Sequence, residues 1–137
     1  MAGASSVYVN SPYTNGVSFT NSDGTTGKVV AYGNSGLAVL RALLFSNLSA
    51  SAYTFDIVLR KSSIDYQLAR IEVAANAGHA DGTPPLNVID DAVIPGLGSE
   101  PDTKLILEAS DQVVVKAVSA LTSGHQVDVV VLAGRAL

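Results

Sequence analysis

The sequence predicts an all-β protein: an antiparallel β-sandwich of about eight strands, wound as a jelly roll. Three observations lead there. Alternation of period two is frequent, whereas helical periodicity never runs beyond about two turns. β-branched residues crowd the C-terminal third, and turn signals built from Gly, Asn, Asp and Ser recur at short spacing without an internal repeat.

In chain order, residues 1–27 read as an extended N-terminal arm, because Ser, Thr, Asn, Gly and Tyr dominate and the apolar residues are isolated. The sandwich domain spans 28–137. Lys28–Tyr32 and Val39–Ser46 are strand-like, divided by Gly33-Asn34-Ser35-Gly36, whose residues tolerate the positive φ of a tight turn. The run Leu37–Phe45 also places Leu37, Leu40, Ala42 and Leu44 where a short helix would align them; it is assigned to strand. Tyr53–Arg60 puts Tyr53, Phe55, Ile57 and Leu59 on one face, and Ile64–Ile71 alternates likewise, so the two form an antiparallel hairpin across Lys61-Ser62-Ser63. Glu72–Pro101 shifts to Ala, Gly, Asn, Asp and Pro around one short strand, Leu86–Ile89. A connection of that length is usually functional or ordered by a partner. Thr103–Glu108, Gln112–Leu121 and Gln126–Ala133 are expected to make a three-stranded meander.

Composition narrows the function. Of 137 residues 47% are hydrophobic and only 15% charged, against roughly 25% charged in ordinary soluble domains; mean hydropathy is +0.33. Eight Lys and Arg against twelve Asp and Glu give a net charge of −4, which offers no general attraction for nucleic acid or an anionic membrane. The richest apolar stretch, Leu37–Phe45, contains Arg41 and falls well short of the ~20 residues a membrane helix needs. The first residues, Met1-Ala-Gly-Ala-Ser-Ser6, lack a basic segment followed by an apolar one, so the expected protein is made and used without crossing a membrane. With no cysteine there is no disulfide framework and no thiolate. An apolar, weakly charged chain that does not span a membrane is expected to hide surface against other protein.

No catalytic constellation emerges. His79 and His125 sit in polar turns outside any metal-ligand spacing. Gly33–Gly36 is one residue short of a nucleophile elbow. Asp90-Asp91 and Glu100 with Asp102 read as solvated turns rather than two carboxyl groups facing across a sugar. Asn21-Ser-Asp23-Gly24-Thr25 has oxygen ligands at alternate positions but lacks the later glycine and glutamate of a calcium loop. Asn47-Leu48-Ser49 matches a glycosylation sequon by chance. No glycine-rich loop opens a helix to cradle phosphate. The expectation is a non-enzymatic protein with no cofactor and no metal.

The order of features does match a family pattern. A strand ending near Tyr32 leads to Val39–Asn47, a small-residue turn and the alternating strand Tyr53–Arg60. After a long loop come Leu105–Val115, with the turn Glu108-Ala-Ser-Asp111, and a valine-rich last strand. Over about three quarters of the chain this strand pattern resembles the small all-β decoration, or cement, proteins on tailed-bacteriophage heads, most closely jelly-roll cement proteins of podophage type.

The resemblance implies a structural virion protein. It would be synthesised in the host cytoplasm, bind the capsid exterior and bridge neighbouring major-capsid-protein subunits, with self-association as a dimer rather than a trimer. It assigns adhesion to the arm, through Tyr8, Tyr13 and Phe19, and to the loop carrying Pro84, Pro85 and Leu97. The alternative for the arm is that its aromatics close the sandwich of their own chain. On the arm reading, removing residues 1–20 weakens attachment without unfolding the core. The competing function is another virion sandwich module, tail- or fibre-associated or carbohydrate-binding; against a sugar platform, the five tyrosines are scattered and Trp is absent.

Overall fold

A computed structural model describes residues 11–33, 37–90, 92–97 and 104–136. The strands are β1 (Ser11–Phe19), β2 (Lys28–Tyr32), β3 (Leu37–Asn47), β4 (Tyr53–Lys61), β5 (Ile64–Val73), β6 (Leu86–Asn87), β7 (Leu105–Leu107), β8 (Gln112–Ala117) and β9 (Val127–Ala136). They form an antiparallel β-sandwich. One sheet has the order β1-β9-β3-β6, with β7 also on β3; the other has the order β2-β8-β4-β5. First strand beside last and second beside next-to-last is the order of a jelly roll, with β6 and β7 sharing one strand position.

The expected hairpin is present. Tyr53 to Lys61 pair with Val73 to Ile64, and the loop is two residues, Ser62 and Ser63, both at positive φ (51° and 66°). Positive φ at both central positions matches the right-handed twist of the strands.

β3 explains why its sequence also fits a helix. Its register on β9 shifts between Leu40 and Ala42. Before that bulge Ala38 and Leu40 face the core; after it Leu43, Phe45 and Asn47 do. One extra residue moves the buried set from even to odd numbers, and that break in period imitates a helical stripe.

The arm assignment fails for residues 11–27. β1 pairs with β9 along its whole length, Ser11 opposite Arg135 through Phe19 opposite Val127. Asn15 donates its side-chain amide to the Val30 carbonyl at 2.9 Å, and Lys28 Nζ donates to the Ser18 carbonyl at 2.6 Å, stitching β1 to the second sheet. A sequence window misses such a strand because its partner lies more than a hundred residues away and its outward residues are small and polar.

Two further expectations are corrected. Strands Lys28–Tyr32 and Leu37–Asn47 lie in different sheets, so they do not pair with each other across the tight turn expected between them. The C-terminal strands are not a meander: β7 lies on β3, β8 between β2 and β4, and β9 between β1 and β3. The turns before and after β8 each carry the chain to the opposite sheet, so neighbours in sequence are not neighbours in space.

The core is centred on Phe19, Phe45 and Phe55, all fully buried. Phe55 meets Phe19 edge-on at 5.2 Å between centroids and Phe45 at 5.5 Å, contacts worth about 0.5–1.5 kcal/mol each beyond area burial. The long loop contributes to the same core through Ala77, Val88, Ile89 and Ile94. Its own apolar residues anchor it, along with Val88 N–H to the Leu43 carbonyl at 2.9 Å.

Candidate interaction face

The outward sides of the two sheets differ in chemistry. On the second sheet most charges are paired. Arg70 bonds both oxygens of Asp56 (2.7 and 3.0 Å), Gln67 adds a third bond to it, Arg60 grips Asp65 (2.6 and 3.1 Å) and Lys116 reaches Asp65 at 3.3 Å. The Arg70 bond, with Gln67 acting in the same direction, holds the Asp56 carboxyl below its usual range. The Arg60 bond, with Lys116, brings Asp65 down to about 2. Of the charges on this face, Glu72 opposite Thr54 is the one with no ion pair among the described residues.

The outward side of the first sheet is apolar. Because directly opposed antiparallel residues point the same way, the register defines its rows. Ala42, Leu132 and Thr14 form one row, Leu44, Val130 and Gly16 the next, and Ser46, Asp128 and Ser18 a polar end. Ile106 of β7 extends the face beside Val39. Val130, Leu132, Ile106 and Leu37 are all exposed, Leu132 by 42%. Among the described residues of these strands, charge enters this face only as Arg41 at the β3 bulge and Asp128 at the far end. Asp128 accepts from Ser18 Oγ at 2.6 Å and Gln126 Nε2 at 2.7 Å, and neither charge has an ion-pair partner among the described residues.

The residues expected to carry adhesion fall differently. Phe19 is wholly buried in its own core. Tyr13 packs partly against that core, with the Arg135 guanidinium 4.3 Å from its ring centroid and Tyr32 edge-on at 5.6 Å. Both close the sandwich of their own chain. Tyr8 lies outside the described residues. Leu97 is partly buried and packs against the core. Pro84 and Pro85 are exposed and line an open cavity of about 420 Å³ with His79 and Asp81. Val130, Leu132, Leu44 and Arg41 belong to no motif that marks them as interaction residues in the sequence. A signal for them exists: Val129-Val130-Val131-Leu132 is apolar at both parities, as in a strand covered on both sides.

The candidate catalytic residues have structural partners. Tyr53 hydroxyl hydrogen-bonds His125 Nδ1 and accepts the Thr122 N–H at 3.0 Å, closing the turn before β9. Asp23 accepts the Thr20 N–H at 2.8 Å and pairs with Lys28 at 3.1 Å. Asp90 caps its own turn through the Ala92 N–H at 2.9 Å, while Asp91, Glu100 and Asp102 lie outside the described residues. Asn47 of the sequon is fully buried. It donates to the Ser51 carbonyl at 2.7 Å and accepts from Ser49 N–H and Oγ, so it is a corner fastening that a glycosyl transfer could not reach in the folded chain. Among the described residues no group of three or more His, Asp or Glu converges as a metal site, and no helix is long and apolar enough to cross a membrane.

No protein-family model, curated protein or solved structure matches the chain.

Proposed function

We propose that the chain is a structural virion protein that binds the outside of a phage capsid shell and cements neighbouring major-capsid-protein subunits. The observation that supports this most is the contrast between sheet faces. One is a largely self-paired charged surface suited to solvent; the other centres on Leu44, Val130 and Leu132, with Arg41 and Asp128 as the only charges on it among the described residues of its strands. An apolar sheet face of this kind is characteristic of surface that protein covers in an assembly. The cost of holding apolar side chains in water, roughly 25 cal/mol per Å², becomes a driving force for association. The jelly-roll strand order and the position of the Glu108–Asp111 turn, between the two sheets, support the same reading. Adhesion needs no catalytic group, cofactor or metal.

The test is to mix purified protein with undecorated capsids of the source phage and sediment the mixture. Saturable co-sedimentation at a fixed ratio to capsid subunits is expected, undiminished by His79→Ala with His125→Ala. Failure to co-sediment at any concentration overturns the proposal.

A further inference from the structure

We propose that Arg135 is a docking point for an acidic side chain of a partner protein, the carboxylate lying along the open Nε–Nη2 edge of the guanidinium. The inference rests on the assembly reading above and names the partner's chemistry at one point, at the end of the sandwich rather than on its apolar face.

Three of the eight basic residues, Arg41, Lys104 and Arg135, have no ion pair among the described residues. They are not equivalent. Arg41 is exposed, so water solvates it, and a lysine ammonium such as that of Lys104 is a flexible, strongly hydrated point charge. Arg135 is half-buried, and its Nη1 is sealed from solvent with no hydrogen-bond partner. Its guanidinium carbon lies 4.3 Å from the Tyr13 ring centroid and 5.1 Å from that of Tyr32, while the two centroids are 5.6 Å apart. A triangle with those sides puts the cation in the corner between two rings, not between parallel plates. The rings offset part of its charge, but neither is a two-oxygen acceptor. An unpaired, partly desolvated cation is a cost to the folded chain that an anion from a partner removes.

The backbone fixes where this corner lies. Arg135 on β9 stands opposite Ser11 of β1 and Ala38 of β3, Tyr13 is two residues further along β1, and Tyr32 ends β2 in the other sheet, opposite Gln112. The three side chains meet at one end of the sandwich, between the sheets. Because Nη1 is the sealed nitrogen, Nε and Nη2 form the edge left to donate outward. The same chain shows what that edge takes. Arg60 grips Asp65, and Arg70 grips Asp56, each with Nε on one carboxylate oxygen and Nη2 on the other. Such side-on pairs are stronger than neutral hydrogen bonds and fix orientation as well. The carboxylates of the nearby Glu108–Asp111 turn are already paired with Lys61. A net charge of −4 disfavours a phosphate polymer as the source of the anion, so an acidic protein side chain is the fitting occupant. One such contact gives register to an adhesion that an apolar face drives without direction.

The arginine Nε–H resonances of the intact chain, titrated with acetate against chloride at constant ionic strength, test the site. Arg41 is the internal control for a solvated guanidinium, and Arg60 and Arg70 for an edge already occupied. The Arg135 Nε–H is expected to reach saturation at roughly a tenth of the acetate concentration that moves Arg41, because its side chain is already held in place. A response no greater than that of Arg41 overturns the proposal. So does saturation by inorganic phosphate well below the acetate range in mildly acidic solution, where both ions are monovalent. In co-sedimentation with capsids, Arg135→Lys keeps the charge and the stem but loses the fork, and should weaken binding about tenfold at an unchanged melting temperature. Undiminished binding by that variant overturns the partner role. Since the acetate response is read without capsids, capsid binding with no acetate response refutes this inference alone, and an acetate response with no capsid binding refutes the cement reading alone.

Discussion

Lys61 Nζ lies 2.8 Å from both carboxylate oxygens of Asp111. The same carboxylate accepts the Glu108 N–H at 3.0 Å, so one nearly buried side chain ties the end of β4 to the turn that carries the chain between sheets. The two partners are unequal: Lys61 side chain is 40% exposed, Asp111 only 9%. Asp111→Ala is therefore expected to lower stability by about 1–3 kcal/mol, because it strands a backbone donor. Lys61→Ala should cost less, because the exposed ammonium is solvated and its charge screened. Urea unfolding of both variants checks the asymmetry; equal losses would contradict it.

Gly33 crosses this same turn at very close range. A Cβ there would lie 1.9 Å from the Glu108 carbonyl oxygen and 2.8 Å from its carbon. Both are backbone atoms and cannot rotate away. Gly33→Ala is expected to destabilise by about 3 kcal/mol, the upper range for overpacking, and thermal unfolding measures it. A melting temperature within a degree or two of wild type would show that the crossover is looser than described.

Phe19 distinguishes an adhesive arm from a structural strand. Phe19→Ala empties a fully buried site between Phe55 and Val127 and should cost about 3–5 kcal/mol. Removing residues 1–20 deletes β1 and should unfold the protein, where an arm would leave the core intact. Proteolysis resistance of the truncated chain decides between them.

Acid sensitivity should come from the charged face. The folded carboxyl of Asp65 titrates near 2, below its ordinary 3.8, and Asp56 is displaced the same way. A depressed folded pKa contributes stability that is complete above the unfolded value and is lost as pH falls through the folded one. Stability should decline between about pH 4 and pH 2. Asp65→Asn should flatten that slope, as should 1 M salt, since the Arg60 and Lys116 partners are solvated. Urea midpoints at pH 5 and pH 2.5 test this; an unchanged slope in Asp65→Asn would count against the pairing.

What was legible in the sequence depended on how local each signal is. The β4–β5 hairpin could be read because Tyr53, Phe55, Ile57 and Ile71 keep one parity across a two-residue turn. β1 could not, because Tyr13 and Phe19 stand alone among polar residues and find their partners, Ala133 and Val127, at the other end of the chain. The change of parity at Arg41 hid β3 behind a helical alternative. The same bulge places Arg41 on the apolar face, between Val39 and Ala42, so the residue that obscured the strand also marks its surface. The face itself was written in Val129–Leu132, apolar at both parities, but only the pairing of β9 between β1 and β3 shows which side is open.

The central claim is that this chain holds a shell together by adhesion. The most direct measurement is the temperature at which DNA-filled capsids rupture, with and without saturating protein. A clear rise on decoration is expected, and it should disappear with Val130→Asp and Leu132→Asp introduced together in a still-folded chain. An unchanged rupture temperature at full occupancy would contradict it.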